Sequence, residues 1–226
     1  MNPQELARFF DHTLLKPELT SRQVEALCAE AIQHGFAAVC IPSCYVRSAS
    51  VLLRGTSVSV ATVIGFPFGY GSTKGKRAEA ETAMEEGAGE LDVVINLSAL
   101  RSGNWELVES ELQQLTQQAH SRKCMIKWII ESGMLTPEEL RSCCRIAADA
   151  GVDFVKTATG FIGPGATAKQ VRTLRSFLPP QIAVKASGGI RTLTQAQELL
   201  AAGASRLGTS SAVAILQEAQ TAATQP

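Results

Sequence analysis

Two lysines lie in segments that are typical of buried strands. Lys156 lies in VDFVKTATG (152–160) and Lys185 in IAVKASGG (182–189), and each lysine follows an apolar run and precedes small residues. Burial of an ammonium group costs free energy, and a buried lysine commonly responds with a lowered pKa. A lysine that is neutral near physiological pH is a nucleophile that can form a Schiff base with a carbonyl group. Two such lysines close together would each disfavour the other's charge, so the pair predicts Schiff-base chemistry.

Further charged residues fall on one face of the predicted strands. Asp92 lies in LDVVIN (91–96), and Lys127 lies in MIKWII (125–130). Glu131 follows Lys127 by an even number of residues, so a continued strand would place both side chains on the same face. Alternate side chains of a strand share a face, and charges on a helix-facing side would be buried without partners. A lone strand lysine is more often one that reaches water, or half of a structural ion pair. Because three of the eight lysines fall in predicted strands with two carboxylates, we favour a functional site.

The chain alternates between helix signals and apolar, strand-like runs. Four helices are predicted by a threonine with a glutamine or glutamate three residues later, which is the spacing of a capping box. These signals begin at Thr20, Thr136, Thr167 and Thr192, and glycines at 35, 87, 151 and 203 mark the ends of helical segments. A strand-like run follows each of these glycines, and further apolar runs lie between them.

About eight strands alternating with about eight helices favour a (β/α)8 TIM barrel for this α/β chain of 226 residues. The strands are continuous apolar runs, as in a parallel sheet covered on both faces. A doubly wound open sheet is the alternative, and the lack of a GxGxxG fingerprint after the first strand disfavours it. We expect one domain over 1–226, with a lead-in at 1–10, a first strand in FFDHTLL (9–15) and a frayed tail at 217–226.

Glycines and serines end the last two predicted strands. Gly188 and Gly189 follow the seventh strand, and Ser210 and Ser211 follow the eighth, immediately before a helix. In a barrel, active sites lie at the carboxyl ends of the strands, and phosphate commonly binds to the last loops and a helix N-terminus. Gly160 is expected to add an amide from the preceding loop. The sequence therefore predicts a phosphate site at these loops.

The composition argues against several classes of partner. Lys and Arg total 21 and Asp and Glu total 21, so the net charge is zero and neither nucleic acid nor an acidic membrane would meet a basic field. No apolar run approaches the roughly 18 residues of a membrane span. Six cysteines without a CxxC pair or a secretion signal predict reduced thiols in the cytoplasm. The three histidines are far apart in sequence, which argues against a histidine-based metal site.

Six motifs resemble, in order, those of deoxyribose-phosphate aldolases. They are DHTLLKP (11–17), VATVIGFPFG (60–69), GELDVVIN (89–96), FVKTATGF (154–161), VKASGGIRT (184–192) and GTSSAVAI (208–215). The resemblance covers nearly the whole chain, and the motifs are long and specific. It implies a class I aldolase on a (β/α)8 barrel, without a metal ion or an organic cofactor. The implied reaction is the reversible cleavage of 2-deoxy-D-ribose 5-phosphate to D-glyceraldehyde 3-phosphate and acetaldehyde.

The resemblance also implies roles for individual residues. It makes Lys156 the Schiff-base nucleophile, and it makes Asp92 and Lys185 the groups that donate and accept protons. It places the substrate phosphate against Gly160, Gly188, Gly189, Ser210 and Ser211. We expect Lys127, Glu131 and Asp11 to surround the reacting groups and balance their charge. The expected partners are a small phosphorylated sugar and acetaldehyde, and a homodimer is one assembly compatible with the sequence.

Three places depart from the family pattern. The run IPSC (41–44) stands where an asparagine-proline is expected, Tyr70 where a shorter side chain is expected, and Phe161 where some relatives carry a lysine. These departures bear on substrate range and phosphate affinity rather than on the chemistry. Two other functions stay open. One is another Schiff-base barrel, such as a transaldolase-like or fructose-bisphosphate-aldolase-like enzyme, and the other is a phosphosugar-binding barrel without catalysis.

Overall fold

Eight parallel strands close into a barrel in the computed structural model, which describes residues 1–224. The strands are β1 (Phe10–Thr13), β2 (Ala38–Ile41), β3 (Ser59–Ile64), β4 (Glu90–Val94), β5 (Met125–Ile129), β6 (Phe154–Lys156), β7 (Ala183–Ser187) and β8 (Arg206–Thr209). They pair in chain order, and β8 pairs with β1. This topology confirms the predicted (β/α)8 barrel and excludes the alternative, a doubly wound open sheet.

The first helix precedes β1, and the other helices follow the strands around the outside of the barrel. They are α1 (Pro3–Ala7), α2 (Ser21–His34), α3 (Val46–Leu52), α4 (Thr73–Glu85), α5 (Leu97–Arg101), α6 (Trp105–Ser121), α7 (Pro137–Ala150), α8 (Ala168–Phe177), α9 (Leu193–Ala201) and α10 (Ala212–Thr224). Short 3-10 turns lie at Ser43–Tyr45 and Ser132–Met134. Among the residues described, none of the helices combines the length and the apolar character needed to cross a membrane.

The predicted helix starts are confirmed by their hydrogen bonds. At Thr20, Thr136, Thr167 and Thr192, the backbone N–H donates to the Gln or Glu side chain three residues on. These bonds satisfy amides that a helix cannot pair internally. Gly35 and Gly151 end α2 and α7 in the left-handed conformation, with φ of 68° and 70°.

Both ends of the described residues are helical, at positions where the sequence predicted a lead-in and a frayed tail. Asn2 and Glu5 form a capping box at the start of α1, and Leu6 of that helix is buried. Instead of fraying from residue 217, α10 continues to Thr224, because α10 packs against α1 and its Ala219 contacts the core. Residues 225 and 226 of the expected tail lie outside the described residues.

The barrel interior is divided into an apolar side and a charged side. Register pairs Asp92 with Lys127 across β4 and β5, and Lys156 with Lys185 across β6 and β7. Paired residues of neighbouring strands point to the same face, so these four side chains converge inside the barrel. Beside them, β2 and β3 contribute a cluster of small apolar residues: Ala38, Cys40, Ala61 and Val63.

A buried ion pair fixes two helices against the strand that carries Asp92. Lys76 of α4 donates to Glu111 of α6 at 2.5 Å and to the carbonyl oxygen of Val94 at 2.8 Å. Burial lowers the pKa of Lys76, and the Glu111 carboxylate opposes that shift. Since Val94 ends β4, the pair ties both helices to the carboxyl end of that strand.

The loop after β3 approaches the end of β4 at a glycine. Gly69 has a φ of 71°, and a Cβ there would lie 1.9 Å from the carbonyl oxygen of Ile95. Both the left-handed conformation and the close backbone contact require glycine. Gly69 therefore sets how closely the β3–α4 loop packs on the strand that carries Asp92.

We predict that Gly69→Ala lowers the free energy of unfolding by about 2–4 kcal/mol, because it adds backbone strain and a clash with a rigid carbonyl group. Urea unfolding followed by circular dichroism measures this loss. Gly71→Ala is the matched control, since a Cβ at Gly71 meets nothing within 4 Å. The control should stay within about 0.5 kcal/mol of the parent. Equal stabilities of the two variants would contradict the packing role of Gly69.

Candidate active site

Seven charged side chains lie together inside the barrel. They come from six strands and, except for Arg206, they are buried. We call them the charged cluster: Asp11, Glu90, Asp92, Lys127, Lys156, Lys185 and Arg206. A charge of this kind is tolerated in a protein interior only when it is paired and hydrogen-bonded. The inward face of the barrel is where strands far apart in sequence can supply those partners.

Asp92 is the centre of the charged cluster. Its Oδ2 accepts hydrogen bonds from Lys156 Nζ and Lys185 Nζ, both at 2.7 Å, and its Oδ1 accepts one from Lys127 Nζ at 2.8 Å. Asp92 has no exposed surface. The two lysines singled out in the sequence therefore share one carboxylate oxygen, and the third lysine of the predicted strands binds the other oxygen.

A second set of contacts lies around Asp11. Lys185 donates to Asp11 Oδ2, and Arg206 donates to Asp11 Oδ1 at 2.6 Å. Lys127 lies 2.5 Å from Glu90 Oε2 and 3.7 Å from Asp11 Oδ2. Lys127 and Asp11 thus lie beside the reacting groups proposed from the sequence, whereas Glu90 and Arg206 were not anticipated.

The charges of the cluster do not cancel. Four cationic side chains face three carboxylates, so one positive charge is in excess when all groups are ionised. In the described chain, Lys156 pairs with Asp92 alone, whereas Lys127 lies within 4 Å of three carboxylates. Lys156 is also the lysine of the cluster that lines a cavity. It is therefore the least compensated cation of the cluster, and it is the lysine of the cluster that a ligand in the cavity can reach.

The field of the cluster holds two groups in their charged forms. Burial alone would raise the pKa of Asp92, but the ammonium groups of Lys127, Lys156 and Lys185 outweigh burial and hold that pKa well below its ordinary value. Burial alone would lower the pKa of Lys185, but the carboxylates of Asp11 and Asp92 raise it above the ordinary value. The shift at Lys185 is thus opposite to the one expected from burial alone, and its side chain is an ammonium near neutral pH.

A thiol lies against the central carboxylate. Cys40 Sγ lies 4.0 Å from Asp92 Oδ2, and its side chain is buried. Burial raises the pKa of Cys40 most strongly, and the negative charge of Asp92 raises it further. Cys40 therefore stays a neutral thiol that packs beside Asp92. Strand parity in AVCI (38–41) could have identified it as an inward residue.

A cavity of about 290 Å³ opens at the carboxyl ends of the strands, directly above Lys156. Of the predicted phosphate residues, Gly160, Gly188, Gly189 and Ser210 line it. Ser211 does not, and its backbone N–H donates to Thr209 Oγ1 at 2.9 Å. Gly160, Gly188 and Gly189 have positive φ, so their loops turn sharply at the cavity wall.

Two cations that the sequence reasoning missed also line this cavity. They are Lys16, in the loop after β1, and Arg191, in the loop after β7. Both lie within the quoted motifs DHTLLKP and VKASGGIRT and follow a strand end, which is where a barrel places its ligand contacts. Their charges make the cavity favourable for an anion. Phe161 also lines the cavity, and it packs edge-on against Phe66 with ring centroids 5.0 Å apart.

Glu131 lies apart from the charged cluster, although strand parity grouped it with Lys127. Its backbone leaves the strand direction with φ 52°, so the parity of β5 no longer applies to its side chain. Its Oε2 accepts hydrogen bonds from Thr159 N at 3.0 Å and Thr159 Oγ1 at 2.7 Å. Glu131 therefore contacts the loop after β6 instead of the three lysines.

Comparison with known proteins identifies the family of this chain. A family model described as DeoC/LacD family aldolase matches residues 6–218. A deoxyribose-phosphate aldolase from Clostridium kluyveri is 45% identical over 218 residues, which cover 96% of this chain and 100% of that protein. One from Thermococcus kodakarensis is 47% identical over 221 residues, which cover 97% of this chain and 99% of that protein.

A solved structure supports the same assignment. The deoxyribose phosphate aldolase from Aeropyrum pernix, described as a tetramer, superposes with a TM-score of 0.92 at 36% identity, over 98% of this chain and 93% of that one. Fold and sequence thus agree over nearly the full length of both proteins. The chain belongs to the DeoC/LacD family of aldolases.

Proposed function

We propose that this protein cleaves 2-deoxy-D-ribose 5-phosphate reversibly to D-glyceraldehyde 3-phosphate and acetaldehyde, with Lys156 as the Schiff-base nucleophile. The observation that carries the proposal is the carboxylate oxygen of Asp92 shared by Lys156 and Lys185, both at 2.7 Å, beneath an open cavity. The match to the aldolase family and the names of its relatives support the substrate. No organic cofactor or metal ion is needed for this chemistry.

The choice of Lys156 as nucleophile follows from charge and access. The charged cluster holds one excess positive charge, and loss of a proton from one lysine removes it. Lys156 has the fewest carboxylate partners and faces the cavity, so its amine can attack the C1 aldehyde of the open sugar. The carbinolamine that forms then loses water to give an iminium ion.

The iminium ion keeps a positive charge next to Asp92. The nitrogen of Lys156 is cationic both as an ammonium and as an iminium ion, so the contact with Asp92 Oδ2 is favourable in both states. In a buried site this preorganised carboxylate stabilises the intermediate without moving. Lys185 and Lys127 keep the carboxylate in place throughout.

Cleavage moves two protons and one electron pair. The C3 hydroxyl loses a proton, the C2–C3 bond breaks, C3 becomes the aldehyde of the phosphate product, and the electron pair forms the C1–C2 double bond of an enamine. C2 then takes up a proton, and water releases acetaldehyde from Lys156. Asp92, in contact with both lysines, accepts the C3 hydroxyl proton, and Lys185, held as an ammonium, donates a proton to C2. Transfer of the proton from Asp92 to Lys185 then restores the ammonium group and the free carboxylate.

The phosphate end of the substrate fits the other wall of the cavity. Gly160, Gly188, Gly189 and Ser210 offer backbone and hydroxyl groups there, and Lys16 and Arg191 add positive charge. Backbone amides at a loop followed by a helix are a common anion site in barrels. We propose that these groups bind the 5-phosphate while C1 reaches Lys156.

We also propose a cytoplasmic location, which the free thiols of all six cysteines support because disulfides are uncommon in that compartment. A homodimer remains a prediction from the sequence.

We predict that borohydride reduction in the presence of acetaldehyde attaches an ethyl group to Lys156. Reduction converts the Schiff base to a stable secondary amine, and peptide mass spectrometry locates it. Lys156→Ala should abolish both the adduct and cleavage of 2-deoxy-D-ribose 5-phosphate. Lys169→Ala, at an exposed lysine of α8, is the matched control and should retain both. An unmodified protein, or an adduct confined to Lys185, would contradict the assignment.

We predict that Ser210→Asp raises KM for the phosphorylated substrate by about tenfold or more, because a second anion would face the phosphate. Steady-state retro-aldol assays measure the change. Ser48→Asp introduces the same charge at an exposed position of α3 and should leave KM unaltered. If the two variants have the same KM, Ser210 does not face the phosphate.

A further inference from the structure

Glu131 is a buried acidic residue outside the charged cluster. It is fully buried, and in the described part of the chain its carboxylate has no cationic partner within 4 Å. Its backbone is in the left-handed region with φ 52° and ψ 51°, a conformation that costs a non-glycine residue on the order of 1 kcal/mol or more. A buried carboxyl group in a strained backbone position requires a structural or functional reason.

The contacts of Glu131 point to the loop between β6 and α8. Glu131 Oε2 accepts from both the backbone N–H and the hydroxyl of Thr159, at 3.0 and 2.7 Å. Thr159 Oγ1 in turn accepts from the N–H of Phe161 at 3.2 Å. One carboxylate oxygen therefore fixes the turn on both sides of Gly160.

This arrangement leaves one amide of the turn for a ligand. The N–H groups of Thr159 and Phe161 are engaged by these bonds, whereas that of Gly160 makes no hydrogen bond within the described residues. Gly160 has φ 80° and lines the cavity. Glu131 thus fixes Thr159 and Phe161, the residues on either side of Gly160, whose backbone amide belongs to the proposed phosphate site.

The opposite side of the same loop is fixed by the loop after β7. Ala166 N donates to the carbonyl oxygen of Gly188 at 3.0 Å, and Ser187 Oγ donates to the carbonyl oxygen of Ala158 at 2.5 Å. An added Cβ on Gly165 would lie 2.2 Å from the Gly188 oxygen. The loop is therefore held between Glu131 on one side and the Gly188 segment on the other.

We propose that Glu131 is a positioning residue that holds the Thr159–Phe161 turn in the conformation that binds the substrate phosphate. The inference rests on the proposed phosphate site, and it assigns Glu131 to substrate affinity instead of proton transfer. Two features separate it from the charged cluster. It forms no hydrogen bond or ion pair with Asp92 or the three lysines, and its hydrogen-bonded partner, Thr159, lines the cavity.

The test compares phosphorylated and unphosphorylated substrates. For Glu131→Ala, KM for 2-deoxy-D-ribose 5-phosphate and the inhibition constant of inorganic phosphate should each rise about tenfold, with kcat within about twofold. The kcat/KM for 2-deoxy-D-ribose, which lacks the phosphate, should stay unaltered. Glu131→Gln should stay close to the parent, within about threefold, because the amide oxygen can accept both bonds from Thr159.

Glu79→Ala is the matched control, because Glu79 is another carboxylate that accepts from a loop amide, that of Gly65, at 2.8 Å. It should leave the ratio between the two substrates unaltered. Equal losses on both substrates for Glu131→Ala, or an unaltered KM and inhibition constant, would overturn the proposal. If Glu131→Ala does not fold, Thr159→Val removes the bonded hydroxyl, and an unaltered KM in that variant would overturn the proposal equally.

The test of Glu131 can fail without affecting the assignment of Lys156 as the Schiff-base nucleophile. Trapping of acetaldehyde on Lys156 by borohydride does not involve the phosphate, so it should proceed normally in Glu131→Ala. Loss of trapping in the parent protein would refute the Schiff-base assignment, whereas normal trapping without a rise in KM would refute only the role of Glu131.

Discussion

One buried carboxylate, that of Asp92, binds the side chains of three buried lysines. Leaving an ion unpaired in an interior costs several kcal/mol, so the positions of Lys127, Lys156 and Lys185 depend on this group. The two carboxylate oxygens are used differently: Oδ1 binds Lys127, and Oδ2 is shared by the other two lysines. Lys156 and Lys185 both donate to Oδ2. A proton gained or lost by one lysine, or a covalent bond formed by it, therefore changes the electrostatic environment of the other.

The rest of the barrel keeps that carboxylate in place. Register brings Lys127 opposite Asp92, and Asp11 with Glu90 neutralises the cations on the side away from the cavity. Outside the strands, the Lys76–Glu111 pair and the close approach at Gly69 fix the end of β4. The proposed phosphate-binding residues lie separately, in the loops after β6, β7 and β8. In the proposed function, the strands thus carry the reacting groups and the loops bind the substrate.

The sequence predicted the elements whose signals are local. Capping boxes located four helices, and strand parity grouped Asp92 with the lysines, because both depend on residues a few positions apart. Arg206 was missed because its partner Asp11 is 195 residues away and is reached only when the barrel closes. Glu131 was grouped with Lys127 because parity assumes a continuous strand, and its backbone turns at that residue.

Neutron diffraction at neutral pH would test the central claim most directly, because it locates the protons that the charge arrangement assigns. We expect an unprotonated Asp92 carboxylate between ammonium groups on Lys127 and Lys185, since the pKa of Asp92 is held low and that of Lys185 is raised. A proton on the Asp92 carboxylate, or a neutral amine at Lys185, would contradict it.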